Sequence, residues 1–136
     1  MGRILAIDYG GRRCGLAVTD PLNIIANPLD TVLTKDLDPY LAKYISENNV
    51  DKLVLGMPKQ MNGDFSFSWP MIEQFAEAFR VKYPSIPVEF QDERYTSKMA
   101  SRVIAQSGLP KMKRQEKGLI DRTSAVIILQ SFMEKY

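Results

Sequence analysis

Four acidic residues in three distant parts of the chain have positions that could bring their carboxylates together. Asp8 ends the apolar run of a predicted central strand, and Asp92 and Glu93 end a later strand. Asp121 lies near the start of the predicted last helix. Crowded carboxylates repel one another, and a divalent cation relieves that repulsion. Mg²⁺ or Mn²⁺ binds such oxygen ligands, and two ions about 4 Å apart can promote hydrolysis of a phosphodiester.

The periodicity of the last helix predicts that Asp121 faces inward. Positions 121, 125, 128 and 132 share one helix face and are occupied by Asp, Ala, Ile and Phe. Because this apolar stripe must pack on a sheet, we expect Asp121 to lie against the sheet near the helix start.

Each carboxylate also has an ordinary structural interpretation. Asp8 could cap the glycine-rich turn that follows it, and Asp121 could interact with the dipole of its helix. Asp92 or Glu93 could pair with Arg94, or Asp92 could help to cap the next helix. None of these interpretations explains why three sites should converge, so a metal site is the favoured interpretation.

The composition excludes several kinds of chemistry. The 136 residues contain no histidine, which removes histidine-assisted nucleophiles and the common zinc sites. Cys14 is the single cysteine, so the chain can form no internal disulfide, which fits a reducing compartment. No run approaches the roughly 18 apolar residues of a membrane span, and we expect a cytoplasmic location. With no repeat or linker, residues 1–136 are interpreted as one domain.

The order of elements predicts an α/β fold. The segments read β-β-β-α-β-α-β-α-α, and Pro28 places the third strand at an edge or interrupts it. An opening antiparallel hairpin followed by alternating helices and strands predicts a mixed five-stranded sheet with helices on both faces. Helices are expected over 96–108 and from 119 to the end, with a basic loop over 109–118.

The turn after Asp8 has the composition of a phosphate-binding turn. Gly10 and Gly11 allow a tight turn with accessible backbone amides, and Arg12 and Arg13 can hold phosphates. A similar Asp–Gly hairpin opens sugar kinases and actin-like ATPases, which need a second domain to enclose a nucleotide. A chain of this length cannot supply that domain, which favours a polymer bound in an open groove.

Positive charge is concentrated in one segment of a nearly neutral protein. Residues 94–122 hold eight Lys or Arg against two acidic residues, a balance of +6, whereas the whole chain has a formal charge of +2. This distribution favours a polyanionic partner. The alternative is a solvated loop, and the two interpretations are compatible. The basic side chains beside the predicted helix start are Lys111, Lys113, Arg114 and Lys117.

Four sequence blocks in order and at matching spacing resemble the YqgF/RuvX family. They are IDYGGRRCGLAVTD, LVLGMPKQMNG, QDERYTSKMA and KGLIDRTSAVIILQSF, which together extend over nearly the whole chain. The resemblance implies an RNase H-like fold related to the RuvC Holliday-junction resolvases, and a nuclease that matures the 5′ end of pre-16S rRNA. Lys59 and Gln60 depart from the family's second block, which puts substrate contacts there in question.

The resemblance also implies which acidic residues act. It assigns Asp8, Glu93 and Asp121 as the catalytic and metal-binding triad, with Mg²⁺ or Mn²⁺ as cofactor. The residues alone do not choose between Asp92 and Glu93, and Asp92 is kept as the second candidate ligand. The nucleic-acid-binding residues are expected to be Gly10, Gly11, Arg12, Arg13, Arg94, Lys111, Lys113, Arg114 and Lys117.

The sequence therefore predicts a metal-dependent endonuclease acting on RNA, with a ribosomal precursor particle as a candidate partner and a monomer or weak dimer as the expected state. Three alternatives remain at this point. They are a resolvase of branched DNA, a nucleic-acid-binding module without catalysis, and a small nucleotide phosphatase or kinase-like protein.

Overall fold

A mixed sheet of five strands forms the centre of the protein in the computed structural model. The structure describes residues 2–57, 69–92 and 117–133, with only the backbone described for Asp92 and residues 117–121. The strands lie in the order β3-β2-β1-β4-β5. Their bounds are β1 (Arg3–Tyr9), β2 (Arg13–Thr19), β3 (Ala26–Leu33), β4 (Val50–Met57) and β5 (Val88–Asp92).

Strand directions change once across this sheet. The chain forms β1, β2 and β3 as an antiparallel meander, so β2 pairs with both neighbours in the antiparallel sense. β4 then pairs with β1, and β5 with β4, in the parallel sense. The predicted sheet of opening antiparallel hairpins followed by parallel strands is confirmed.

Helices cover both faces of the sheet, as predicted. The described helices are α1 (Leu37–Glu47), α2 (Trp69–Lys82) and α3 (Lys117–Met133). The apolar residues of α1 and α2 join one face of β1, β2 and β4 in a first buried cluster. The second cluster, on the other face, contains α3 residues packed on three small or β-branched strand residues, Ala6, Ala17 and Val54.

Pro28 lies in the edge strand, where its missing N–H disturbs the pairing least. Across β2 and β3 the register passes from Leu16 opposite Asp30 to Ala17 opposite Pro28, so Leu29 is the extra residue of an irregularity. The prediction of an edge or interrupted strand is therefore confirmed.

Two boundaries differ from expectation. α3 begins at Lys117, so Lys117 and Gly118 are helical rather than part of the predicted 109–118 loop. The apolar run over 24–33 predicts the third strand, but β3 begins at Ala26, and the backbone N–H groups of Ile24 and Ile25 donate to the Asp20 carboxylate instead. The predicted helix over 96–108 and the rest of the basic loop lie outside the described residues. Among the helices described, none is both long and apolar enough to cross a membrane.

Candidate active site

The carboxyl ends of four strands lie at one edge of the sheet. β1, β3, β4 and β5 all run in the same direction, because β2 is antiparallel to both of its neighbours and the other pairs are parallel. In sheets with parallel strands, ligands bind beyond this carboxyl edge. Asp8 is the second-to-last residue of β1, the central strand, so it lies close to this edge.

Asp8 stands on the sheet face that α3 covers. Ala6 belongs to the cluster formed with α3, and Ile4 packs against it, so the two-residue repeat of the strand continues to Asp8. Asp8 is half-buried. Its cross-strand partner is Gly15 on β2. On β4 the register pairs Ile7 with Leu55, which puts Gly56 beside Asp8 on the other side. Because glycine has no side chain, both flanks of Asp8 leave space on this face.

The first turns of α3 lie at the level of Asp8. Arg122 donates a hydrogen bond from Nη1 to Thr31 Oγ1 at 3.3 Å. Thr31 pairs with Gly15, and Gly15 pairs with Asp8, so all three share one row across the sheet. Position 121 immediately precedes Arg122 in the helix.

The predicted helix face is confirmed where the side chains are described. Ala125, Ile128 and Phe132 are at most 4% exposed, and all three pack in the α3 cluster. Position 121 shares this face by helical periodicity. The side chain of Asp121 lies outside the described residues, so its part in a metal site stays a prediction.

The alternation of β5 determines which of its positions lie on the α3 face. Glu89 forms an ion pair with Lys52 at 2.6 Å, and Lys52 in turn lies over the Phe132 ring of α3 at 5.4 Å from its centroid. Glu89 and Gln91 therefore belong to the α3 face, whereas Phe90 packs in the cluster on the opposite face. The side chain of Asp92 and the whole of Glu93 lie outside the described residues, and the choice between them stays a prediction.

Two buried polar atoms on the α3 side were not expected from the sequence. Gln91 Oε1 and Ser124 Oγ are buried and find no hydrogen-bond partner among the described residues. Gln91 pairs with Gly56, and Ser124 lies one helical turn after position 121. A buried oxygen without a partner costs free energy, so such atoms call for an explanation. Nothing in the residue types or spacing signals them, because burial emerges only when α3 packs on the sheet.

The glycine-rich turn is held to the junction between β3 and α1. Thr34 donates from its backbone N–H to Arg12 O at 2.9 Å and from Oγ1 to Gly10 O at 2.6 Å. A Cβ on Gly10 would lie 2.5 Å from Arg13 O, so the turn needs glycine there. Gly11 and Arg12 are exposed, and Arg13 is half-buried. Four of the predicted nucleic-acid-binding residues lie outside the described residues, namely Arg94, Lys111, Lys113 and Arg114, and for Lys117 only the helical backbone is described.

No other described group offers a competing catalytic centre. The described side chains contain no cluster of three acidic, histidine or cysteine residues, and the side chains of Glu93 and Asp121 lie outside that set. A cavity of about 300 Å³ lies between α1 and α2, on the face opposite Asp8, and includes Tyr9. Burial, aided by Cys14 and Asp38, raises the pKa of the Tyr9 hydroxyl, so it stays protonated at neutral pH and is a poor general base.

Comparisons with known proteins match nearly the whole chain. Residues 2–135 match the family model described as "RuvX: Holliday junction resolvase". A Porphyromonas gingivalis protein named "Putative pre-16S rRNA nuclease" is 52% identical over 134 residues, which are 98% of this chain and 97% of that protein. Proteins of the same name from Bacteroides fragilis and Flavobacterium psychrophilum are 46% and 44% identical, over 98% and 99% of this chain and 97% and 98% of their own.

Proposed function

Because the chain belongs to the RuvX family, we propose that it is a nuclease that hydrolyses RNA phosphodiester bonds in the maturation of the pre-16S rRNA 5′ end. The relatives' names supply the substrate. The observation that carries the chemistry is the position of Asp8, which faces α3 at the carboxyl edge with its flanks occupied by glycine. We also propose that the whole chain acts as one domain.

The proposed metal ligands are Asp8, Glu93 and Asp121. Helical periodicity supports Asp121, because position 121 shares the buried stripe of α3 at the level of Asp8. The alternation of β5 favours Glu93 over Asp92, since residues 89 and 91 belong to the face that Asp8 shares. Asp92 remains the second candidate.

The donor chemistry fits Mg²⁺ or Mn²⁺. Carboxylate oxygens are ligands that both ions prefer, and the glycine-flanked space beside Asp8 leaves room for hydration waters. Gln91 Oε1 and Ser124 Oγ, which have no partner within the described part of the chain, also fit a hydrated ion, whose waters would donate to them. We propose that these two residues orient the water shell rather than bind the ion directly.

When bound, a pair of these ions activates the attacking water and neutralises charge on the leaving 3′ oxygen. Asp8 and Glu93 would hold the ion on the side of the attacking water, and Asp8 with Asp121 would hold the ion on the side of the leaving oxygen, so that cleavage would leave a 5′ phosphate on the product. Gly10 and Gly11 offer backbone amides to the phosphate, while Arg12 and Arg13 neutralise flanking phosphates. The scheme needs no histidine, in agreement with the composition.

The test of this function is cleavage of a 5′-extended 16S rRNA fragment with Mg²⁺ or Mn²⁺. Asp8→Asn should lower the cleavage rate by about 100-fold or more, since even loss of a group that only supports a metal ligand costs 10- to 100-fold. Asp38→Asn on α1, which removes an exposed carboxylate on the other face, should cleave normally. Equal cleavage by the Asp8→Asn protein would exclude the proposed site.

Cleavage of branched DNA is the second candidate function, because the matching family model is described as a Holliday junction resolvase. One preparation should be compared on a four-way DNA junction and on precursor rRNA, both free and in a ribosomal precursor particle. Faster cleavage of the junction would favour the resolvase. Salt-dependent binding to either nucleic acid without turnover would indicate a binding module instead.

A further inference from the structure

A concave surface lies at the carboxyl edge, beside the glycine-rich turn. It is a cavity of about 340 Å³ lined by Gly11, Arg12, Leu33 and Lys35. Gly11 and Arg12 belong to the turn, Leu33 ends β3, and Lys35 lies in the short 3₁₀ turn Thr34–Asp36 that leads into α1. Lys35 was not among the residues predicted to bind nucleic acid.

The walls of this cavity are held together by Thr34. Its two hydrogen bonds, to Arg12 O and to Gly10 O, tie the 3₁₀ turn to the β1–β2 turn. Thr34 Oγ1 also lies 3.4 Å from Cys14 Sγ, so the junction is anchored on a fully buried residue of β2. Arg12 and Lys35 therefore start from backbones with a fixed separation, which lowers the entropy lost when both contact one ligand.

The cavity is electropositive and partly apolar. Its described lining contains two cations and no carboxylate. The ion pairs found among described residues are Lys52–Glu89 and Arg80–Glu77, so neither Arg12 nor Lys35 is neutralised by one of them. Leu33 is 42% exposed and supplies an apolar wall. Two exposed cations beside an apolar surface suit the phosphate and sugar of a nucleic acid strand.

The location of the cavity relates it to Asp8. Asp8, Gly15 and Thr31 form one row across β1, β2 and β3, and Leu33 lies two residues beyond Thr31 toward the carboxyl edge. From Asp8, Leu33 therefore lies two strand spacings to the side and two residues farther along the strand direction, which corresponds to a distance of about 12 Å. A strand with its cleaved bond at Asp8 could therefore reach this cavity within a few nucleotides.

We propose that this cavity is a phosphate subsite of the RNA, and that Lys35 and Arg12 hold one phosphate of the strand on one side of the cleaved bond. The proposal rests on the proposed RNA nuclease function. It defines the path of the bound strand over the protein surface, from Asp8 across the β1–β2 turn toward the β3 edge of the sheet.

The test measures binding of fluorescently labelled single-stranded RNA over a range of salt concentrations, in an Asp8→Asn background that prevents cleavage. Lys35→Ala should weaken binding by about two- to fivefold, as expected of an exposed ion pair. It should also reduce the slope of log affinity against log salt by about 0.7, the value for one lost phosphate contact on a single strand. Lys35→Arg should keep the slope, and Lys43→Ala, which removes an exposed lysine of α1, should not change it.

A series of RNAs lengthened on one side of the cleaved bond at a time gives the direction. The Lys35→Ala effect should appear only when the RNA extends on one of the two sides. A Lys35→Ala slope equal to that of Lys43→Ala, in a protein whose parent cleaves RNA, would overturn the subsite and leave the nuclease function intact. If the parent protein neither binds nor cleaves RNA, the proposed function and the subsite both fail.

Discussion

Asp8 follows three fully buried residues of β1, Leu5, Ala6 and Ile7, and is itself half-buried. At this position a carboxylate is partly removed from water, a setting in which a bound cation or hydrogen bonds stabilise it. The two-residue repeat of β1 predicts from the sequence alone which face of the sheet Asp8 occupies. That this face is covered by α3 depends on how the last helix crosses the sheet, and only the structure shows it.

Substitution of Gln91 should lower activity without lowering the stability of the fold. Gln91→Leu removes a buried side-chain oxygen that has no partner among the described residues, and puts an apolar side chain of similar size in its place. We expect the free energy of unfolding in urea to stay unchanged or rise by up to about 1 kcal/mol. Cleavage should fall by about 10- to 100-fold if the amide orients the hydrated ion. A stabilised variant with full activity would show that Gln91 has no part in the site.

At the scale of elements, the tight turn between β1 and β2 was predictable from the sequence, but its hydrogen bonds to the junction of β3 and α1 were not. Gly10 and Gly11 between two apolar runs predict a tight hairpin, which the structure confirms. The hydrogen bonds from Thr34 join residues more than 20 positions apart, and no local pattern encodes them. The same holds for α1, whose stripe is readable from the sequence but whose contact with β3 is not.

Gly10 and Gly11 should respond differently to alanine. A Cβ on Gly10 would lie 2.5 Å from a backbone oxygen, whereas a Cβ on Gly11 would meet only the end of the Met71 side chain at 3.4 Å. We expect Gly10→Ala to lower the free energy of unfolding by about 1–3 kcal/mol, as overpacking does. Gly11→Ala should change it by less than about 0.5 kcal/mol. Equal effects in urea titrations would contradict this account of the turn.

Tyr40 should make the stability of the α1–β3 contact depend on pH. Burial, then the charge of Asp30 and the hydrogen bond that Tyr40 donates to it, raise the pKa of the Tyr40 hydroxyl from 10.0 to about 12. The folded state therefore favours the protonated phenol. The stability that this preference adds to the folded state is complete below pH 10 and is lost as the pH rises from 10 to about 12.

The corresponding measurement compares the parent protein with Tyr40→Phe in urea unfolding on both sides of pH 10. The parent should lose stability more steeply than the variant in that window. Burial also raises the pKa of Tyr9 and Tyr44, and both proteins share that background. Parallel pH profiles would show that the folded state does not raise the pKa of the Tyr40 hydroxyl.

At the scale of the whole molecule, the fold could be predicted from element order because few topologies satisfy it. An opening hairpin and right-handed crossovers leave little freedom for the later strands. The site was predictable to the same degree only where periodicity applies, at Asp8 and along the α3 stripe. Lys35 was missed because its role depends on the juxtaposition of two turns, and the start of α3 was misplaced because Gly118 reads as a loop residue.

The uneven charge of the molecule predicts a strong salt dependence of RNA binding. Alanine at all four basic positions before and at the start of α3 removes four of the eight cations in residues 94–122. The slope of log affinity against log salt for single-stranded RNA should then fall by about 3. The control changes four exposed lysines or arginines outside that segment, and it should reduce the slope less. The variant's positions are Lys111, Lys113, Arg114 and Lys117.

The most direct test of the metal site is anomalous scattering from crystals soaked in Mn²⁺. We expect an anomalous peak at the carboxyl edge of the sheet, on the α3 face, with carboxylate oxygens of Asp8, Glu93 and Asp121 at about 2 Å. Asp8→Asn crystals should lose or weaken the peak. A Mn²⁺-soaked crystal with no peak there, and with Asp121 directed away from Asp8, would contradict the proposed metal site.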